Sequence, residues 1–380
     1  MKDLSESRIL IVDDTRANID ILVEALRNDY KLSVAIDGGA ALRSVEKSPP
    51  DLVLLDIMMP DVDGYEVCRQ LRSREATREL PVMFLSALED VKNKAQGFEV
   101  GGNDYLTKPF EVLEVKARVR SLIKAKAYAD AVREAMARDL RIAREIQMGI
   151  LPADLRALTK GTGLEVDAVI EPAREVGGDL YEVLRASDRR VVVALGDVSG
   201  KGIPAALFMA VAMTVLRTLA RQIEEPDEIL RRLNDELVAE NPRGMFVTLQ
   251  CLVFDLEQKR VSSAGAGHHQ LALLSTNHPP RLACPSTGRP AGLMPFNPIE
   301  RETFPLEAGD TFVLFSDGMS EAMNTEEAFY GEERLLAALA SCARVPPKDI
   351  VSRVLTDVRA FAAGAKQSDD ITVLAARYAG

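Results

Sequence analysis

Asp13 and Asp14 directly follow the apolar run Ile9-Leu-Ile-Val12, and Asp56 directly follows Leu52-Val-Leu-Leu55. If both runs are strands of one open parallel sheet, three carboxylates meet at its carboxyl edge. Unpaired, they repel one another. A hard divalent cation such as Mg²⁺ resolves the repulsion, because it takes oxygen ligands and can hold a phosphoryl group as well. Ser86, after the run Pro81-Val-Met-Phe-Leu85, can donate a hydrogen bond to that group, and Lys108 can neutralise its charge. Asp56 is then a candidate nucleophile that forms an aspartyl phosphate. An acidic pair after a strand is ordinarily a solvated loop or a helix cap, so the ordered combination carries the reading, not any one residue.

A second acidic set lies downstream at strand ends or turns: Gly177-Gly178-Asp179, Gly196-Asp197-Val198-Ser199-Gly200-Lys201-Gly202, Ser316-Asp317-Gly318 and Ser368-Asp369-Asp370-Ile371-Thr372. The glycines permit tight turns and close backbone approach. If the fold gathers these groups, their oxygens can hold two Mg²⁺ or Mn²⁺ ions, which would activate a water and clamp an in-line phosphoryl displacement. Such a centre needs neither a catalytic cysteine nor a histidine. A lone Asp-Gly is ordinarily a turn, and spacing alone does not bring distant segments together. Two rival motifs fail: residues 196–202 lack the spacing and the hydroxyl of a phosphate loop, and Gly177-Gly178-Asp179-Leu180-Tyr181 lacks the Glu-Phe half of the diguanylate cyclase signature.

The first third of the chain alternates short apolar runs with helical spacings such as Ile19-x-x-Leu22-Val23-x-x-Leu26. This is the pattern of an α/β doubly wound parallel sheet with its site at the strand ends. Over residues 122–150 there is no proline, and Leu122, Ala125, Ala129, Val132, Met136, Ala143, Ile146 and Ile150 follow a 3-4 spacing interrupted by Asp139. One long helix is expected there, its apolar stripe covered in a parallel coiled-coil dimer; the alternative packs the stripe on the chain's own domains. Leu151-Pro152 stops it. Beyond, strands are expected at 165–170, 191–195, 246–254 and 311–315 and helices at 205–219 and 226–239, an α+β layered domain.

The chain has 380 residues, past the size at which one core stops growing, so two domains are expected. Its 47 basic and 58 acidic residues give a net charge of −11, which argues against non-specific nucleic-acid binding. No basic recognition helix follows the first domain, which argues against a DNA-binding regulator. Cys68, Cys251, Cys284 and Cys342 are dispersed, and His268, His269 and His278 lack metal-site spacing and are expected as loop or core residues. The opening Met1-Lys2-Asp3-Leu4-Ser5-Glu6 has no apolar leader core, and the longest apolar stretch, 205–216, is shorter than the roughly 18 to 20 residues of a span. A cytoplasmic protein without membrane insertion is the expectation.

Residues 1–124 strongly resemble the flavodoxin-like receiver domain of two-component response regulators, through Val-Asp-Asp14, Leu-Leu-Asp56-Ile-Met-Met-Pro60-Asp-x-Asp-Gly64, Leu-Ser86-Ala and Tyr105-Leu-Thr-Lys108-Pro109-Phe. The resemblance implies phosphorylation of Asp56 by a histidine kinase. It also implies Mg²⁺ held by Asp14, Asp56 and the Met58 carbonyl with Asp13 assisting, switch roles for Ser86 and Tyr105, and a cis Lys108-Pro109 bond.

Residues from about 145 to 380 resemble the SpoIIE-like branch of the metal-dependent serine/threonine protein phosphatases (PPM), a β-sandwich family. The motifs are Ile146-Gln-x-x-Ile-Leu-Pro152, Pro172-Ala-Arg-Glu-Val-Gly-Gly-Asp179-Leu-Tyr181, Gly-Asp197-Val-Ser-Gly-Lys-Gly-Ile-Pro-Ala-Ala206, Ala266-Gly-His268, Phe-Ser-Asp317-Gly-Met-Ser-Glu321 and Ser-Asp369-Asp-Ile-Thr372. By this resemblance Asp197 bridges two Mn²⁺ or Mg²⁺ ions, the Val198 carbonyl serves one, and Asp179, Asp317 and Asp369 serve the other. Asp370 stands behind the ligands. Some members of the wider family place a proton-donating histidine two residues after the bridging aspartate; this chain has Ser199, so no general acid is assigned.

The expected organisation is a receiver at 1–124, a helical linker at 125–150 and a phosphatase domain at 151–380. The expected function is a response regulator that dephosphorylates a protein, with a phosphorylated STAS-type anti-anti-sigma factor as the substrate the resemblance favours and a homodimer formed through the linker helix. The alternative is a non-catalytic adaptor whose partner binding is controlled by phosphorylation.

Overall fold

The inner strands of the first sheet, over residues 9–12, 52–56 and 82–86, are buried on both faces, which is why their sequence shows continuous apolar runs instead of alternation. The computed structural model describes residues 4–87, 97–239, 241–295 and 298–380; Met1, Lys2 and Asp3 of the opening segment lie outside them. The chain separates into two compact units, Met1–Arg138 and Asp139–Gly380.

In the first unit β1 (Arg8–Val12), β2 (Lys31–Ala35), β3 (Leu52–Asp56), β4 (Val82–Ala87) and β5 (Asp104–Lys108) pair in the order β2-β1-β3-β4-β5, all parallel. Alternate residues serve opposite faces. Ile9, Ile11, Leu52, Leu54, Met83 and Leu85 pack with Leu22 and Leu26 of α1 (Arg16–Leu26). Leu10, Val12, Val53, Leu55 and Phe84 pack with α2 (Gly38–Lys47) and α3 (Gly64–Ser73). Both latter helices start at aspartate caps: Asp37 accepts from the Ala40 amide at 2.6 Å, and Asp63 from the Glu66 amide at 2.7 Å.

Helix α4 runs unbroken from Val112 to Ile150. It begins well before residue 122, because Val115, Val119 and Ile123 continue the same 3-4 spacing and pack on the first sheet. It ends where Pro152 bars continuation. Val132, Met136 and Ile146 of the apolar stripe are 49%, 62% and 63% exposed, whereas Gln147 is buried.

The second unit is a sandwich of two antiparallel five-stranded sheets. One has the order β13-β10-β9-β8-β7, from β7 (Leu180–Arg185), β8 (Arg190–Val198), β9 (Val247–Asp255), β10 (Arg260–Ala266) and β13 (Arg301–Pro305). The other has the order β12-β11-β14-β15-β6, from β6 (Leu164–Glu171), β11 (Leu271–Leu274), β12 (Arg281–Ala283), β14 (Thr311–Phe315) and β15 (Ile371–Tyr378). Phe254 and Phe312 meet edge to face at 5.5 Å in the core, each ring contributing about 2 to 3 kcal/mol by burial. Helices Ile203–Gln222 and Pro226–Ala239 cover the first sheet, and Pro347–Ala362 covers the second.

The helix Ile203–Gln222 corrects one expectation: at 20 residues it is long and apolar enough by length and composition to cross a bilayer. Arg217 ends the uninterrupted apolar stretch 205–216, but the helix continues past it to Gln222. Ala205, Met209, Met213 and Leu216 are buried among the residues of the sandwich core, whereas Ile203, Leu207 and Val211 are exposed.

Candidate functional site

The carboxyl ends of β1, β3, β4 and β5 bring the first set of residues together. Asp13, Asp14 and Asp56 each place a carboxylate oxygen within 4.8 Å of the others; among the described residues no other trio of carboxylate, histidine or cysteine groups closes to that distance. Lys108 Nζ sits 2.9 Å from Asp13 Oδ2 and 2.9 Å from Asp56 Oδ1. Burial raises the Asp56 pKa above the ordinary carboxylate value, the Lys108 hydrogen bond opposes that rise, and the Asp13 charge adds to it. Burial also works against the Lys108 charge, but its bonds to Asp13 and Asp56 outweigh this and hold its pKa above the ordinary lysine value. Asp13 is fixed by the Thr15 amide at 2.9 Å and by Asn18 Nδ2 at 3.0 Å. The all-oxygen donor set, with one carboxylate exposed to solvent, fits a hard cation.

Ser86 and Tyr105 are both buried, and among the described residues neither hydroxyl has a hydrogen-bond partner. Burial, with Tyr65 and Cys68 nearby, pushes the Tyr105 phenol up to about 12, so it stays protonated. Its ring lies 5.5 Å from Phe84 and 5.1 Å from Phe98. The Met58 backbone hydrogen bonds Asp56, while its side chain is exposed. The Lys108-Pro109 bond is cis.

Gly64 seats the Asp56 loop: a Cβ there would lie 2.2 Å from the Asp56 carbonyl oxygen. Gly64→Ala is therefore expected to cost about 2 kcal/mol or more by forcing α3 off the end of β3. Faster hydrogen exchange at the β1 and β3 amides would register that loss; unchanged exchange would refute it.

In the second unit the acidic residues come from both sheets at one end of the sandwich. Asp179 precedes β7, Asp197 is the penultimate residue of β8, Asp317 follows β14, and Asp369 and Asp370 precede β15. Asp179 and Asp197 are hydrogen bonded through their carboxyl groups. Burial, then Asp317 and Asp369, push Asp197 up to about 7. Burial and the Asp197 charge likewise drive Asp179 well above the ordinary value, against a hydrogen bond from the Thr372 hydroxyl. Carboxyl groups crowded in this way hold protons unless a cation replaces them, and the all-oxygen set suits Mg²⁺ or Mn²⁺.

Asp370 uses both oxygens on backbone: Oδ1 accepts from the Ala173 amide at 2.8 Å and Oδ2 from the Gly178 amide at 2.8 Å. Gly177 and Gly318 are needed for that approach, since a Cβ at Gly177 would lie 1.9 Å from Asp370 Oδ2 and one at Gly318 2.0 Å from the Asp370 carbonyl. Asp369 is engaged by Lys201, whose Nζ sits 2.8 Å from Asp369 Oδ2. That pair is partly exposed and worth at most about 1 kcal/mol, a weak competitor for a divalent ion.

The Ser199 hydroxyl accepts from the Phe246 amide at 3.0 Å. His268 is a core residue, as its type and spacing led us to expect: its ring nitrogens bond the Thr248 hydroxyl at 2.9 Å and the Phe315 carbonyl at 3.1 Å, and burial pushes its pKa down to about 3.

Several contributors had no assigned role in the sequence. Thr372 lies two residues after Asp370 on a strand, a spacing that signals the same face. Lys201 carried no signal for its pairing with Asp369. Gln147 stands beside Ile146 in a helix whose apolar spacing assigns the inward face to Ile146 and not to a polar neighbour.

Comparison with known proteins accords with both halves. The response regulator receiver domain family matches residues 9–120. The family described as Stage II sporulation protein E (SpoIIE) matches residues 187–379, half of the chain. Response regulator PleD of Caulobacter vibrioides is 39% identical over 178 residues, 46% of this chain and 38% of that protein. The DNA-binding dual master transcriptional regulator RpaA of Synechocystis sp. is 44% identical over 118 residues, 31% of this chain and 49% of that protein. The chain thus spans less than half the length of these curated relatives. The SiaA-PP2C domain of Pseudomonas aeruginosa has the same fold over 65% of this chain and 99% of its own, with a TM-score of 0.59 at 23% identity. Because the SpoIIE family model matches half of the chain, the chain belongs to the SpoIIE family, and it carries a response regulator receiver domain ahead of the family domain.

Proposed function

We propose that this chain is a response regulator whose output is a metal-dependent phosphoserine and phosphothreonine protein phosphatase. The observation that carries the reading is the position of Asp197, which is hydrogen bonded to Asp179 and lies within the fields of Asp317, Asp369 and Asp370. Two Mn²⁺ or Mg²⁺ ions, when bound, supply charge neutralisation and activation of the attacking water. Asp179, Asp197, Asp317, Asp369 and the Val198 carbonyl would hold them, and Asp370 and Thr372 would keep Asp179 in place. In the receiver, Asp14, Asp56 and the Met58 carbonyl would hold Mg²⁺ with Asp13 assisting. Asp56 takes a phosphoryl group from a histidine kinase, Lys108 and Ser86 contact it, and Ser86 and Tyr105 respond.

The substrate is a phosphorylated STAS-type anti-anti-sigma protein in the cytoplasm. The exposed stripe Val132, Met136 and Ile146 supports a homodimer through α4. The second reading, a partner-binding adaptor without turnover, would need Lys201 to keep Asp369 from the metal, and that partly exposed pair is too weak to do so.

Phosphate release from phosphoserine STAS proteins is measured with Mn²⁺, with and without beryllofluoride as the mimic of phospho-Asp56. Wild type is expected to release phosphate only with metal, and the mimic to change the rate by about 5- to 150-fold, the span of an ordinary coupling between two sites. Asp56→Asn is expected to ignore the mimic. Equal rates with and without it would sink the control by Asp56. No release with any metal, beside tight partner binding, would establish the adaptor.

A further inference from the structure

Gln147 is a buried polar residue on a helix that leaves its apolar neighbours Ile146 and Met148 exposed. Burying a side-chain amide is unfavourable unless its hydrogen bonds are made. Here they are made to a single residue: Gln147 Nε2 donates to the Gly177 carbonyl at 2.7 Å, and the Gly177 amide donates to Gln147 Oε1 at 3.2 Å. Gly177 has no side chain by which it could be held, and the Asp370 contact leaves no room for one. Its backbone is the only handle, and Gln147 takes both ends of it.

The turn into Asp179 is thus set by three side chains in succession. Gln147 fixes Gly177, Asp370 accepts from the Gly178 amide, and Thr372 donates to the Asp179 carboxylate. The last turn of α4 is itself anchored: Arg217 Nη2 donates to the Ile150 carbonyl at 2.5 Å, and Arg217 Nε pairs with the buried Glu182 of β7. A helix end held at Ile150 and reaching the turn through Gln147 transmits its own position to the residue before the Gly178-Asp179 pair.

We infer that Gln147 is a positioning residue that sets the orientation of Asp179 for cation binding by clamping the backbone of Gly177. The inference rests on the phosphatase reading and adds a residue that touches neither substrate nor metal. Ligand-orienting partners of this kind commonly alter metal affinity by about 10- to 100-fold when removed.

The test uses the full chain in an Asp14→Asn background, which weakens the receiver's own carboxylate trio. Free Mn²⁺ is titrated by electron paramagnetic resonance without substrate, and amide exchange is followed over residues 173–179. Gln147→Met keeps the length of the side chain and removes both hydrogen bonds. Gln147→Glu keeps the acceptor for the Gly177 amide and sets a carboxylate against the Gly177 carbonyl, a second variant should the first fail to fold. Both are expected to weaken Mn²⁺ binding by about 10- to 100-fold and to speed Gly177 and Gly178 exchange, while phosphate release recovers at saturating Mn²⁺. Met148→Gln, one residue on and exposed, is expected to change none of these. Unchanged Mn²⁺ affinity and exchange in the folded variants, beside a parent that binds Mn²⁺ and turns over substrate, would overturn the clamp alone. A parent that neither binds Mn²⁺ in this domain nor turns over would overturn the phosphatase reading and the clamp with it.

Discussion

Asp197→Asn is expected to lower Mn²⁺-dependent phosphate release by more than about 100-fold, the upper end of what loss of a ligand's orienting partner costs. Asp197 stands at the centre of the acidic group, hydrogen bonded to Asp179 and within the fields of Asp317, Asp369 and Asp370. An asparagine there keeps the shape and removes one negative charge and one anionic oxygen pair. Asp317→Asn takes away a neighbour of Asp197 and is expected to fail similarly at low Mn²⁺ and to regain part of its rate as Mn²⁺ rises. Asp197→Asn should regain none. Initial rates across a Mn²⁺ series for both variants decide the matter, and an Asp197→Asn enzyme within tenfold of wild type would remove Asp197 from the centre of the chemistry.

The same substitution is expected to stabilise the metal-free protein at neutral and alkaline pH. Burial and neighbouring carboxylates raise the folded-state pKa of Asp197 to about 7 and that of Asp179 well above its ordinary value. A carboxyl group that binds its proton more tightly when folded contributes stability that is complete below its unfolded value near 4. That contribution is lost as pH climbs through the folded value. For Asp197 the loss amounts to at most about 4 kcal/mol between pH 4 and 8. In chelator at pH 8, Asp197→Asn should therefore unfold at higher urea than wild type, and at pH 4 the advantage should vanish. Mn²⁺ should close most of that gap, since a ligand at a hundred times its dissociation constant stabilises the binding form by about 2.7 kcal/mol. Urea unfolding followed by circular dichroism gives all four values; a wild type that gains stability relative to Asp197→Asn as pH rises in chelator would contradict the account. A residue that weakens the empty fold and is required by the filled one is the trade expected at a functional centre.

Much of this protein was determined by local sequence. The runs 9–12 and 52–55 are apolar throughout, which only a strand buried on both faces requires, and each ends in the aspartates that reach the sheet edge. The order of Asp14, Asp56, Ser86 and Lys108 along the chain already implies their meeting, because parallel strands with short crossovers leave few alternatives. The four Asp-containing turns of the second unit were equally visible as residues. Which of them meet was not, because Asp370 reaches the Gly178 amide across 192 positions, and Thr372 reaches Asp179 across 193. No periodicity encodes a contact of that separation; it follows from two sheets closing face to face. The tertiary structure likewise decided that Gln147 turns inward while Ile146 faces solvent. Hydrophobic spacing assigns the inside of a helix to its apolar residues, but two hydrogen bonds to one glycine outweigh the burial of an isoleucine where the site needs its backbone held.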